Sequence, residues 1–265
     1  MLGLIATEPF PDDIASALAG SAALVACAFA LLTFDHWLRR RRPHELAWSI
    51  AMALFTLASL ALWWAESTGW TIGIFRLFFL CGAVLNVPWL ALGSIYLLVG
   101  KRIGDIVRSW LIAVSGFAVG VVGTSPTKTS VVPTEFPTGR DLFGAAPRIL
   151  AAVGSGIPAV IIIAGALWST WRVLRRESPA LSSSTSRNVT SPRRLAAGNI
   201  VIAIGTLILS ASGLLAGRLG QDRAFAITLL IGVCTLFAGF LVASNSTHGR
   251  SGQRTMRYLS DAAKW

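Results

Sequence analysis

A chain of 265 residues that is 54% hydrophobic and only 13% charged carries more apolar surface than a water-soluble domain of this length can bury, so a soluble globular class is excluded. The formal net charge of +11 invites nucleic acid as a partner. The basic residues instead collect between long apolar runs, where they act as a retention signal facing an anionic inner leaflet, so membrane lipids are expected as partners and nucleic acid is not.

The first apolar run covers residues 14 to 34 and comes after a segment with Glu8, Asp12 and Asp13 but no basic residue, so it lacks the positive start of a cleavable signal peptide and is expected to stay. Leu24-Val25-Ala26-Cys27 matches a lipoprotein cleavage box by chance, because the run continues past Cys27 and ends in Arg39, Arg40, Arg41 and Arg42. The second run is 46 to 64, the third 77 to 99 and the fourth 106 to 123. Residues 124 to 148 then carry Pro126, Pro133, Pro137 and Pro147 with the turn Gly139-Arg140-Asp141, which suits either a turn-ordered lid over the bundle mouth or a plain connector. The fifth run is 149 to 171. A basic, Ser-rich stretch, 173 to 194, reads as a disordered linker. The sixth run, 195 to 216, and the seventh, 224 to 244, precede a basic tail. All seven lie near the ~20 residues that a spanning helix requires.

Counting Lys and Arg by side sets the orientation. With the N-terminus outside, 17 of the 23 basic residues fall on the inner side and 6 outside: Arg76, Lys128, Arg140, Arg148, Arg218 and Arg223. The expected fold is therefore all-α, a polytopic seven-transmembrane-helix bundle with the N-terminus outside and the C-terminus cytoplasmic. Residues 1–245 form the transmembrane domain and 246–265 a basic cytoplasmic tail. Trp63, Trp64 and Trp70 are expected in the outer aromatic belt, and Trp37, Trp48, Trp110, Trp168 and Trp171 in the inner one.

Chemistry is hard to place on these spans. No Asp, Glu, His, Lys or Arg occupies the central turns of any of them, which argues against a proton-coupled pump, an intramembrane protease and a voltage sensor. Retinal would need a lysine inside the last span, yet Lys101, Lys128 and Lys264 lie in loops or tail; haem would need intramembrane histidines, yet His36, His44 and His248 lie at or beyond the inner boundary. Asp35, His36, His44 and Glu45, separated by four arginines, read as a solvated turn and not a metal cluster. No cofactor or catalytic residue is expected. Cys27, Cys81 and Cys234 all fall within spans and read as small packing residues.

Small residues at a spacing of 4, 3, 4, 3 mark expected packing faces. They are Ser109, Ala113, Gly116, Gly120 and Gly123 in the fourth span; Asn199, Ala203, Thr206, Ser210, Gly213 and Gly217 in the sixth; and Thr228, Gly232, Thr235 and Gly239 in the seventh. The third span differs, because the same spacing collects Phe75, Phe79, Gly82, Asn86, Trp89, Gly93 and Tyr96, while Pro88 frees a backbone carbonyl one turn earlier. Asn86, Trp89 and Tyr96 with Thr206, Ser210, Thr228 and Thr235 are thus the expected ligand-lining residues, around a cavity bounded by the third, sixth and seventh spans and closed by the 124 to 148 loop.

The run Gly82-Ala83-Val84-Leu85-Asn86-Val87-Pro88-Trp89-Leu90-Ala91-Leu92-Gly93, continued by Tyr96-Leu97-Leu98, resembles a segment of uncharacterised actinobacterial seven-helix membrane proteins. The resemblance implies a bacterial plasma membrane and brings no activity. The expected function is a non-enzymatic one: binding a small or lipidic ligand within the bundle, or serving as partner to another membrane protein. A small-molecule transporter is the alternative.

Overall fold

The computed structural model describes residues 13–176, 192–219 and 222–245. The Ser-rich linker, apart from its ends, and the basic tail lie outside the described residues. The described chain is all-helical. Its elements are α1 (Asp13–Arg40), α2 (Pro43–Thr68), α3 (Ile72–Phe78), a π-helical segment (Phe79–Leu85), α4 (Asn86–Leu98), α5 (Lys101–Thr124), the short α6 (Gly139–Leu142), α7 (Ala145–Arg176), α8 (Pro192–Leu219) and α9 (Asp222–Asn245). Among the described residues six helices are long and apolar enough to cross a bilayer, the architecture of a multi-pass membrane protein; α3, the π segment and α4 count as one, Ile72–Leu98. The predicted sixth span lies in α8, of which Ile200–Ala211 is an apolar described part.

Each helix runs past its apolar core, because nothing in the flanking residues stops it until a turn residue does. Arg41 (φ 52) and Arg42 alone separate α1 from α2, and Pro43 opens α2 at a position where its missing N–H costs nothing. Gly69 ends α2 with φ 94 and donates its N–H to Ala65 O. Gly100 (φ 106) separates α4 from α5.

The long helices close into a ring. Helix α1 packs on α2 and α9, α2 on α4, α4 on α7, α7 on α8, and α8 on α9. Helix α5 stays outside it, touching α4, α7 and the π segment, and buries only Gly104, Ala118 and Val122. The tightest seam is α8 against α9, where a Cβ on Gly205 would sit 2.8 Å from Leu236 N and one on Gly239 would sit 2.8 Å from Ile202 N.

This corrects the expected packing faces. In α9 the predicted Gly232 and Gly239 do meet α8, but in α8 the contact is made by Gly205 and Leu209, one position off the predicted stripe. In α5 the stripe faces away from the bundle: nothing lies within 4 Å of a Cβ on Gly116, Gly120 or Gly123. A glycine row shows where a helix can be approached, not that a neighbour approaches it. Two belt tryptophans are also reassigned, since Trp70 is buried in the core and Trp48 is buried between α2 and α4, its ring against Gly93 and its Nε1 donating to Leu90 O at 3.3 Å. Cys234 is exposed, not packed.

The loop from 125 to 144 is ordered. Trp70 N donates to Pro133 O, Lys128 N donates to Leu142 O, and Thr127 pairs with Phe143 in an isolated antiparallel bridge. Thr138 caps α6 by accepting from Asp141 N while its hydroxyl donates to Asp141 Oδ2 at 2.6 Å, a reciprocal capping pair. The turn expected at Gly139-Arg140-Asp141 is this single helical turn.

Candidate functional site

Beneath the loop, inside the ring, lies a cavity of about 520 Å³. That is within the roughly 300–1,000 Å³ usual for small-molecule sites. Its walls come from α2 (Phe55, Ala58, Ser59), the third span (Phe75 to Leu90), α7 (Ala151 to Ala159), α8 (Thr206, Leu209, Ser210) and α9 (Phe225, Leu229); Phe136, Pro137, Thr138 and Gly139 of the loop close it. Gly139 lets the loop come close there, since a Cβ would sit 2.6 Å from Phe79 Cε2 and the ring would have to shift.

Near the loop the cavity is an aromatic cage. Phe136 meets Trp70 at 5.1 Å, Phe225 at 5.3 Å and Phe78 at 5.8 Å, and Phe143 stands behind Phe75 and Phe79 at 5.5 and 5.1 Å. Stacked, tilted and edge-to-face rings at these distances pack favourably and hold the loop on the bundle.

The deeper part is shaped by a break in the third span. Pro88 has no N–H to donate to Val84 O, and the chain before it takes the wider π turn, with Asn86 N donating to Cys81 O. Close approaches on both sides exploit the break: Gly82 lets Ala58 come to 3.3 Å of where its Cβ would be, and Gly154 does the same for Val84 O at 2.9 Å. In α7, Pro158 likewise cannot donate to the carbonyl of Gly154. Two proline-interrupted helices therefore face each other beside the cavity.

The wide turn also rotates the residues beyond it. Asn86 lines the cavity, but the next lining residues are Val87 and Leu90, not Trp89. Trp89 faces α5, donating from Nε1 to Ser115 Oγ at 3.3 Å, and Tyr96 donates its hydroxyl to Asp105 Oδ1 at 2.9 Å near the start of α5. Of the seven sequence-predicted residues, Asn86, Thr206 and Ser210 line this cavity; Trp89, Tyr96, Thr228 and Thr235 do not.

Polarity inside the cavity is sparse and mostly committed. Thr206 donates to Ile202 O, Ser210 to Thr206 O, Ser155 to Ala151 O and Thr138 to Asp141 Oδ2. Thr228 and Thr235, elsewhere on α9, bond their own helix in the same way. Two lining groups differ. Ser59, 2% exposed, and Asn86, 5% exposed, have an Oγ and an Oδ1 with no hydrogen-bond partner among the described residues. Leaving such a buried group unsatisfied costs about 1–3 kcal/mol. Helical periodicity does not single out Ser59, although it is the one polar residue in Ala58-Ser59-Leu60-Ala61-Leu62. Among the described residues, no ionisable side chain lines the cavity.

Arg76 lies beyond the cavity, at the end of the bundle nearer the loop. Its guanidinium donates to Gly123 O at 2.7 Å and Ser125 O at 2.6 Å, the free carbonyls at the end of α5. The fold and cavity thus define a helical membrane-type protein with a pocket among its helices whose described lining is uncharged, mostly apolar and includes six phenylalanines. The chain matches no protein-family model and no curated protein.

Proposed function

We propose that this is a seven-helix protein of a bacterial plasma membrane, N-terminus outside, that binds a small or lipidic molecule between its helices and is not an enzyme. The observation that carries the reading is the pair Ser59 Oγ and Asn86 Oδ1, left without partners among the described residues in a cavity large enough for a ligand to supply them. Natural membrane bundles satisfy buried polar groups internally, so two unpartnered polar atoms on residues that line a cavity support a binding feature before a packing one. The length of α8 and the basic asymmetry support the seventh span and the orientation. Reporter fusions after residues 42, 128 and 250 are expected to read cytoplasmic, external and cytoplasmic; an external signal at 250 would remove a span from the count.

Occupancy is tested by plugging the cavity. Gly156 lines it and has nothing within 4 Å of its Cβ position, so Gly156→Phe adds a ring at the cavity wall without meeting backbone. Leaving glycine in a helix gains up to ~1 kcal/mol, so the variant should melt at or above the wild-type temperature. Native mass spectrometry of the protein extracted from its own membrane should show a small bound molecule on the wild type and none on Gly156→Phe. Equal spectra from both would refute the binding role.

A transporter is the second reading. The π segment before Pro88 and the Pro158 interruption in α7 place two broken helices at the cavity, the arrangement by which transporters build a midplane site. Uptake into proteoliposomes of the molecule identified by mass spectrometry separates transport from binding alone.

A further inference from the structure

We propose that the ligand is an uncharged, elongated amphiphile: one hydrocarbon chain bearing a hydroxyl that enters first and is held at the deep end by Asn86 and Ser59. The inference rests on the binding role proposed above and adds the ligand's chemical class.

Four features carry it. The described lining contains no ionisable side chain, and an ion taken from water into such a cavity would have no countercharge, which excludes carboxylates, phosphates and ammonium head groups. Along the third span the lining runs from Phe75 to Leu90, a distance of roughly 22 Å at 1.5 Å per residue. About 520 Å³ of space lies along that length, within the range usual for a small-molecule site. The aromatic cage of Phe75, Phe78, Phe79, Phe136 and Phe225 is at the loop end, so it receives the apolar body.

The polar pair is deeper, and its chemistry is specific. Asn86 Oδ1 can only accept, while the Ser59 hydroxyl can donate. The other lining hydroxyls already spend their protons on neighbouring backbone or on Asp141. A ligand hydroxyl carries the complement of each, an O–H that can donate to Asn86 Oδ1 and an oxygen that can accept from Ser59 Oγ. A pure hydrocarbon answers neither, and a carboxylate offers Asn86 Oδ1 only another acceptor.

The test uses the full chain in lipid nanodiscs, with thermal midpoints monitored by tryptophan fluorescence. The probes are 1-dodecanol, dodecane, laurate and dodecyltrimethylammonium. Dodecanol is expected to raise the wild-type midpoint saturably by several degrees, dodecane less, and the two ions not at all beyond their effect on Gly156→Phe. Ser59→Ala and Asn86→Leu should each weaken apparent dodecanol binding at least fivefold and bring it to the level of dodecane. Should Asn86→Leu fail to fold, the smaller change Ser59→Ala decides the point alone.

Laurate or the ammonium matching dodecanol on the wild type, with the shift lost in Gly156→Phe, would overturn the neutral class and leave the cavity as a binding site. Undiminished dodecanol preference in the Ser59 and Asn86 variants would overturn the hydroxyl pairing. Shifts identical in wild type and Gly156→Phe for all four probes would remove the binding role itself.

Discussion

Leucine at position 205 is expected to force α8 away from α9 and lower the stability of the bundle by on the order of 3 kcal/mol, the upper range for overpacking a tight core. The obstruction is backbone: a Cβ there meets Leu236 N at 2.8 Å and Gly232 O at 3.1 Å, and neither can swing aside. Separation would also expose the Thr206 and Leu209 wall of the cavity to rearrangement. The control is the same exchange at Gly116 in α5, where the Cβ position is empty. Gly116→Leu should be neutral or stabilising, because helix propensity rises by several tenths of a kcal/mol and nothing is displaced. Thermal midpoints of both variants in one detergent decide the matter; a similar loss from each would mean that α5 also packs through its glycines.

Removing the guanidinium of Arg76 is the second large effect. Arg76→Met keeps the length and apolar stem but deletes two short charge-assisted hydrogen bonds to Gly123 O and Ser125 O. Neutral bonds within membranes average below 1 kcal/mol each, while bonds to charged groups reach about 1.5–3, so a combined loss of about 2 kcal/mol is expected. Arg76→Lys should recover only part of it, because an ammonium lacks the planar fork that serves two carbonyls together. The diagnostic readout is hydrogen exchange in the last two turns of α5, which should speed up in Arg76→Met. Unchanged exchange there would show that packing, not Arg76, holds this end.

Much of the helical layout is written in the chain because a spanning segment needs both length and continuous apolarity, and few other structures need both. The predicted runs coincide with observed helices to within a residue at Val99, and the helices extend further, since polar residues such as His36, Glu45 and Arg102 continue a helix as readily as apolar ones. The faces are less legible. A period of 3.6 presumes an unbroken α-helix, and the π turn between Phe79 and Leu85 rotates everything after Asn86, carrying Trp89 and Tyr96 round to α5. Hydroxyls mislead for another reason: Thr206, Ser210, Thr228 and Thr235 mark a polar row in one dimension, but each bonds the carbonyl one turn back, so the row offers few free protons. Ser59 stays hidden because a single serine in an apolar run carries no periodic signal. The ordering of the 124 to 148 loop depends on Phe136 and Phe143 meeting rings from α3, the π segment and α9, contacts between residues far apart in sequence.

Helix α5 is fastened at three points along its length: Tyr96 to Asp105 near its start, Trp89 to Ser115 in the middle, and Arg76 to Gly123 and Ser125 at its end. With so little of its surface buried, those polar ties carry a share of its attachment that packing carries for the helices of the ring. Such ties hold in hydrocarbon, where no solvent competes for them, and loosen wherever water enters. The molecule therefore contains a seam whose strength is set by the dryness of its surroundings. In a short-chain, water-permeable micelle α5 should be the first cooperative unit to open and to become accessible to protease, while the six-helix ring endures; in a thick bilayer the same helix should exchange as slowly as its neighbours.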